Sequence, residues 1–160
     1  MPVRRQPLTA FAFLSIALGM PLGGARADSH GEAERAIHYR HSLYHVIEWN
    51  VTAMGNVIKG KAPYEPKAFA MHADRVRFLV PMVLEGFPPG SFVEGHTAAK
   101  PAVWSDRATF EKLLDKLGAK SVALADAAAG RDLATITPAF NALKDTCDEC
   151  HKQFKNKSDH

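Results

Sequence analysis

Residues 140–154 read FNALKDTCDECHKQF and place a Cys-x-x-Cys-His motif within an apolar helical pattern. Apolar and sulfur-bearing side chains recur here at the spacing of one helix face: Phe140, Leu143, Cys147, Cys150 and Phe154. His151 falls on the same side of such a helix as Cys147. Two thiols can form thioethers with the vinyl groups of a haem, and the adjacent imidazole can bind its iron. The segment therefore predicts a haem held covalently against a helical core.

Other uses of this motif fit the sequence less well. A thioredoxin-type redox pair lies at the N-terminus of a helix that follows a strand, and no such pattern surrounds this motif. A zinc site needs four tetrahedral ligands, whereas only three are close together here. A disulfide between Cys147 and Cys150 would be sterically poor within a helix.

Residues 1–27 are typical of a secretory signal peptide. Arg4 and Arg5 precede an apolar stretch over residues 8–20, and Ala25-Arg26-Ala27 fits a cleavage site flanked by small residues. An uncleaved anchor is the alternative, but the stretch is shorter than the about 20 residues of a membrane-spanning helix. We therefore expect residues 28–160 to be exported to the periplasm as a single domain without a membrane span.

The charge of the chain is unevenly distributed. The sequence has 20 basic and 17 acidic residues, a formal net charge of +3. Three of the basic residues, Arg4, Arg5 and Arg26, lie in the predicted signal peptide, which contains no acidic residue. Residues 28–160 are therefore formally neutral and give no support to a nucleic-acid partner. The composition, with 46% hydrophobic residues, excludes a wholly disordered chain.

Three more amphipathic stripes precede the motif, over residues 37–58, 69–87 and 110–128, each with apolar residues at alternating intervals of three and four. A segment rich in glycine and proline, residues 86–101, predicts a long loop between the second and third stripes. Four amphipathic helices with short first and third connections predict an all-α, antiparallel four-helix bundle.

Individual residues mark the expected helix ends. Pro81 should kink or end the second helix, and Ser105 is the expected N-cap of the third. The fourth helix begins either at Asp132 or at Pro138, with Thr137 as the cap in the second case. The polar tail from Lys155 onward is expected to fray.

The chain resembles the cytochrome c′ family, the class II c-type cytochromes, over residues 33–157. Besides the C-terminal Cys-x-x-Cys-His motif, four segments resemble that family in the same order: AIHYRHSLY (36–44), VIKGKAPY (57–64), FPPGS (87–91) and AVWSD (102–106). The resemblance implies a left-handed four-helix bundle, paired into a homodimer through its first two helices. It also implies one haem c per subunit with five-coordinate, high-spin iron. Cys147 and Cys150 then form the thioethers, and His151 is the proximal ligand.

The resemblance also assigns roles to three residues of the first helix. It places Arg40 against a haem propionate, His41 near the haem edge and Tyr44 over the distal side of the iron. A rotated helix with Arg40 exposed to solvent is the alternative. Met54 is about 15 Å from Tyr44 along a helix axis, so we expect no methionine ligand.

Two features depart from the family pattern. Phe154 and Lys155 stand where tyrosine and arginine are common, and lysine lacks the planar guanidinium. The middle loop is also longer than usual before Pro101. Four further histidines show no metal-ligand spacing and are interpreted as surface residues: His38, His45, His72 and His96.

These observations predict a periplasmic haem protein that binds diatomic gases (NO, CO), carries single electrons to a redox partner protein, or does both. A six-coordinate, low-spin electron carrier is the alternative. A peroxidase would need a distal His or Arg acid–base pair. Because Arg40 is assigned to a propionate and the haem-facing stripe has no histidine, the sequence indicates a non-enzymatic protein with at most weak peroxidase-like activity.

Overall fold

The computed structural model describes residues 24–157, so most of the predicted signal peptide lies outside the described residues. No helix in this part of the chain is both long and apolar enough to cross a membrane. The elements are α1 (Gly24–Ile58), α2 (Pro66–Leu79), a 3-10 helix (Val80–Gly86), α3 (Ala102–Ser105), α4 (Arg107–Ala129) and α5 (Leu133–Phe154).

The four long helices, α1, α2, α4 and α5, form a bundle with one open side. Helix α1 packs along α2, α2 along α4, and α4 along α5, whereas α1 and α5 approach each other only locally. The predicted all-α four-helix bundle is confirmed. Its open side lies between the helix that carries Tyr44 and the helix that carries the Cys-x-x-Cys-His motif.

Prolines and capping residues set the ends of α2 and α5. Helix α2 ends at Leu79, and the chain continues through Pro81 as a 3-10 helix, which confirms the expected break. Asp132 is the N-cap of α5, because its carboxylate accepts a hydrogen bond from the Ala134 N–H at 3.1 Å. Thr137 is not a cap, since it lies inside α5 and donates its hydroxyl to the Leu133 carbonyl at 2.7 Å.

The prediction that Ser105 caps the third long helix is wrong. Ser105 is the last residue of α3, a short helical turn that follows Pro101. Helix α4 begins at Arg107, with Asp106 as its N-cap residue. Proline favours the start of a helical turn, so a turn forms directly after Pro101. Ser105 is then already helical and cannot be the N-cap of the following helix.

The loop over residues 87–101 returns to the end of α5. The Lys100 N–H donates to the Phe154 carbonyl at 2.8 Å, and the Asn156 N–H donates to the Ala98 carbonyl at 2.7 Å. The prediction that the tail frays from its first residue is therefore wrong. The tail is ordered there by a partner segment that is remote in sequence, a pairing that composition alone does not show.

Two apolar clusters fill the bundle. The first joins α1, α2, α4 and α5 around buried residues that include Met54, Phe69, Val76, Leu124, Ile136, Phe140 and Leu143. The second lies beneath the loop and contains Leu43, Val83, Phe87, Val103, Phe110, Leu113 and Phe154. Cys150 packs against the second cluster, so the open side of the bundle adjoins it.

The packing predicts that truncation to alanine has very different effects on stability at two positions of α4, Leu124 and Val122. Leu124 is fully buried in the first cluster, whereas Val122 is 45% exposed. Leu124→Ala should lower the free energy of unfolding of the haem-loaded protein by about 2–5 kcal/mol, because it leaves a cavity. Val122→Ala should change it by less than about 0.5 kcal/mol. Denaturant unfolding of both variants measures the contrast, and similar effects would contradict this packing.

Candidate functional site

Helix α5 presents the Cys-x-x-Cys-His motif on the open side of the bundle. Both cysteines are free and half-buried, while His151 is exposed near the end of the helix. Burial raises the pKa of the Cys150 thiol to about 11, with nearby Cys147 adding to the effect. The pKa of His151 is lowered by partial burial and by the positive charge of Lys155. At neutral pH the motif therefore offers two thiols and a neutral imidazole, the forms suited to thioether formation and to binding iron.

Helix α1 faces this motif through Tyr44. Its ring packs edge-on against Phe87, with the ring centroids 6.4 Å apart. Burial raises the pKa of the Tyr44 phenol well above its ordinary value, and Cys150 also contributes to this rise. The side chain keeps 36% of its surface exposed. Tyr44 is thus a neutral phenol at the mouth of a slot whose opposite wall carries the two cysteines.

Helices α1 and α5 come close to each other at few points. Gly55 of α1 faces Phe140 of α5, and a Cβ at Gly55 would lie 3.4 Å from the Phe140 ring. This limited contact is compatible with a flat apolar group between the two helices at the motif.

Arg40 lies one helical turn before Tyr44 and is buried, with 2% of its surface exposed. The alternative of a rotated helix with Arg40 in solvent is therefore wrong. Its Nη1 donates to the Gly86 carbonyl at 3.1 Å, to the Ser91 carbonyl at 3.1 Å and to the Ser91 Oγ at 3.3 Å. The guanidinium also lies over the Phe87 ring, 4.9 Å from its centroid.

The other two guanidinium nitrogens of Arg40, Nε and Nη2, are buried without a hydrogen-bond partner among the described residues. Neutral carbonyls and a hydroxyl satisfy one nitrogen, and no carboxylate of the described residues pairs with the charge. A buried cation of this kind is costly unless an anion joins it. A haem fits these residues, because its propionates can pair with the free nitrogens of Arg40. The two thiols and the imidazole on one face of α5 can hold the rest of the group.

The residues that hold Arg40 were not found from the sequence. Gly86 permits the close approach, because a Cβ there would lie 2.7 Å from the Arg40 Cβ. Ser91 is buried, and its hydroxyl donates to the Pro88 carbonyl at 2.8 Å. The only signal was the FPPGS segment, which indicates a tight turn but does not identify its partner.

The histidines have different surroundings. His41 is exposed, and its pKa is lowered by partial burial and by neighbouring Arg40. The prediction of a surface residue is wrong for His72, whose half-buried ring is hydrogen bonded through Nδ1 to the Oδ1 of buried Asn50 at 2.8 Å. His96 lies on the loop, with its Nδ1 2.7 Å from Glu34 of α1. No group of three or more His, Cys, Asp or Glu side chains within residues 24–157 is arranged to hold a metal ion.

Comparison with known proteins identifies the family of this chain. The family model described as Cytochrome C′ matches residues 35–155. The chain belongs to the cytochrome c′ family. A cytochrome c′ from Rubrivivax gelatinosus is 36% identical over 122 residues, which cover 76% of this chain and 95% of that protein.

Solved structures of the family show the same fold. Cytochrome c′ from Shewanella frigidimarina aligns with a TM-score of 0.75 at 34% identity, covering 78% of this chain and 97% of that one. Variants of the protein from Alcaligenes xylosoxidans, 28% identical with a TM-score of 0.73 over the same shares of the two chains, have been solved with nitric oxide and with carbon monoxide bound. As a cytochrome c′, this chain has covalently bound haem c as its cofactor.

The contacts of Arg40 predict a stabilising role for this residue. Arg40→Met should lower the free energy of unfolding by about 1–3 kcal/mol, because the buried carbonyls of Gly86 and Ser91 lose their donor. Arg35→Met, at an exposed site on the same helix, should have an effect below about 0.5 kcal/mol. Denaturant titration of the haem-loaded variants measures both changes. Equal stabilities would show that Arg40 does not hold the loop.

Proposed function

We propose that this cytochrome c′ is a periplasmic haem protein whose five-coordinate, high-spin iron binds diatomic gases such as NO and CO. One observation carries the proposal: the wall facing the motif offers Tyr44, a neutral phenol, and no stronger ligand among the residues described there. Gas complexes of the Alcaligenes relatives support the same function.

Three residues of α5 hold the haem in this proposal. Cys147 and Cys150 form the thioethers, and His151 is the proximal ligand. When bound, haem iron supplies a site for a sixth ligand and exchanges single electrons. Because the three side chains sit on one face of a continuous helix, the attachment points and the proximal imidazole keep a fixed spacing.

Tyr44 screens the distal side in this proposal. The raised pKa keeps its phenol protonated at neutral pH, so the residue lacks the phenolate that would bind ferric iron. Its ring contributes apolar surface next to Phe87. Met54, the nearest thioether on the helix, is fully buried in the first apolar cluster and does not reach the slot. A crowded, largely apolar distal side favours neutral diatomics over anions.

Arg40 provides the charge that holds a haem propionate in this proposal. Its Nε and Nη2 have no other partner among the described residues, whereas Nη1 is engaged by the loop. His41, on the exposed side of the same helix, lies near the haem edge. These roles anchor one side of the haem while α5 anchors the other.

Absorption spectroscopy tests the proposed coordination. The reduced protein should give a high-spin, five-coordinate spectrum that changes on addition of CO, and Tyr44→Phe should leave the CO-free spectrum high-spin at pH 7. A reduced, low-spin spectrum that does not respond to CO would identify the alternative, a six-coordinate electron carrier. Cys147→Ser combined with Cys150→Ser should leave the haem extractable by acidified organic solvent, which checks the attachment separately.

We also propose that the protein forms a homodimer through α1 and α2. Two large aromatic side chains are exposed on these helices, Trp49 at 73% and Phe78 at 74%. Val46 and Met71 are further exposed apolar residues on the same two helices, at 49% and 41%. Exposed apolar residues grouped on neighbouring helices mark an interaction surface.

Charged substitutions on this surface should produce a monomer. Trp49→Lys and Phe78→Lys each place a charge where the proposed interface would bury it, so either variant should sediment as a monomer at concentrations where the unmodified protein is a dimer. Val122→Lys introduces the same charge on α4 and should leave the dimer intact. A dimer that survives both α1 and α2 substitutions would contradict this interface.

Export through the signal peptide of residues 1–27 and electron exchange with a redox partner protein complete the proposed function. The relationship to the cytochromes c′ supports a haem protein rather than an enzyme in the usual sense. Loss of residues 1–27 from protein recovered from the periplasm, read by mass spectrometry, tests the export step.

A further inference from the structure

Three histidines lie close together on the exposed side of α1. The segment HYRHSLYH, residues 38–45, places His38, His41 and His45 at intervals of three and four. All three are exposed, and the helix runs without a break through this segment. In the proposed function His41 lies near the haem edge, whereas His38 and His45 have no role there.

His41 and His45 are separated by one helical turn. Side chains at positions i and i+4 are neighbours on a helix, with Cβ atoms about 5–6 Å apart, so two imidazoles can reach one ion between them. The two rings influence each other, since His45 adds to the lowering of the His41 pKa caused mainly by burial and Arg40. His41 is therefore largely neutral near pH 7, the state in which imidazole binds metals.

Glu48 distinguishes His45 from His38. The Oε2 of Glu48 lies 3.9 Å from the Nδ1 of His45. Glu48 therefore adds negative charge beside a cation held by His45.

We propose that His41 and His45 form a two-histidine surface site for a divalent transition metal ion, with Zn²⁺ as the probe. Imidazole is a preferred ligand of Zn²⁺ and Cu²⁺, whereas Mg²⁺ and Ca²⁺ favour oxygen ligands. Within residues 24–157 no three ligating side chains converge on one point. Water therefore fills the remaining coordination positions.

Isothermal titration of Zn²⁺ into the haem-loaded protein tests the site. The haem engages Cys147, Cys150 and His151, so these residues do not compete for the added ion. The unmodified protein should show one saturable site per chain. His41→Ala and His45→Ala should each abolish it, whereas His38→Ala should retain it.

A register variant provides the matched control. His45→Ala combined with Thr52→His keeps the number of histidines but places one ring about three helical turns from His41, and Thr52 is exposed on the same helix. This variant should not bind Zn²⁺, while an unchanged haem spectrum shows that it is folded. Absence of a saturable site in the unmodified protein, or binding that survives His45→Ala, would overturn the proposal.

Discussion

A buried guanidinium must find partners, and the region around Arg40 is organised by that need. One nitrogen is satisfied by the loop, through the carbonyls of Gly86 and Ser91. The planar group also lies across two aromatic rings, Phe87 and Trp104. These contacts fix the loop against α1 and place inside the bundle a positive charge that forms no ion pair among the described residues. In the proposed function, the loop and the haem therefore depend on the same side chain.

The slot itself follows from unequal packing around the bundle. Three of the four helix pairs pack along their length, and the fourth pair, α1 and α5, touches closely where Phe140 covers Gly55. Gly55 leaves room for the Phe140 ring at this point, and α1 and α5 make few other close contacts. In the proposed function, the haem lies between these two helices and completes the core there.

Local sequence signals predicted much of this structure. The helices followed from alternating intervals of apolar residues, the break at Pro81 from its missing N–H, and the face of α5 from the spacing of Cys147, Cys150 and His151. The failures have two causes. Ser105 satisfied the rule for an N-cap, but a helical turn formed before it. Neither the partners of Arg40 nor the pairing of the tail could be predicted, because these contacts join residues about 50 positions apart and depend on the path of a loop.

The pairing between the loop and the end of α5 has a consequence for how the chain tolerates changes at its C-terminus. The Asn156 N–H and the Phe154 carbonyl are hydrogen bonded to Ala98 and Lys100, near the end of the loop. Near the start of the same loop, the Ser91 carbonyl accepts a hydrogen bond from Arg40. A deletion or a fused tag that displaces the last ordered residues would loosen this loop and, through it, the hold on the first helix. The segment from Phe154 to Asn156 thus joins the end of α5 to the loop that precedes α3, so a change at the C-terminus has to leave this pairing intact.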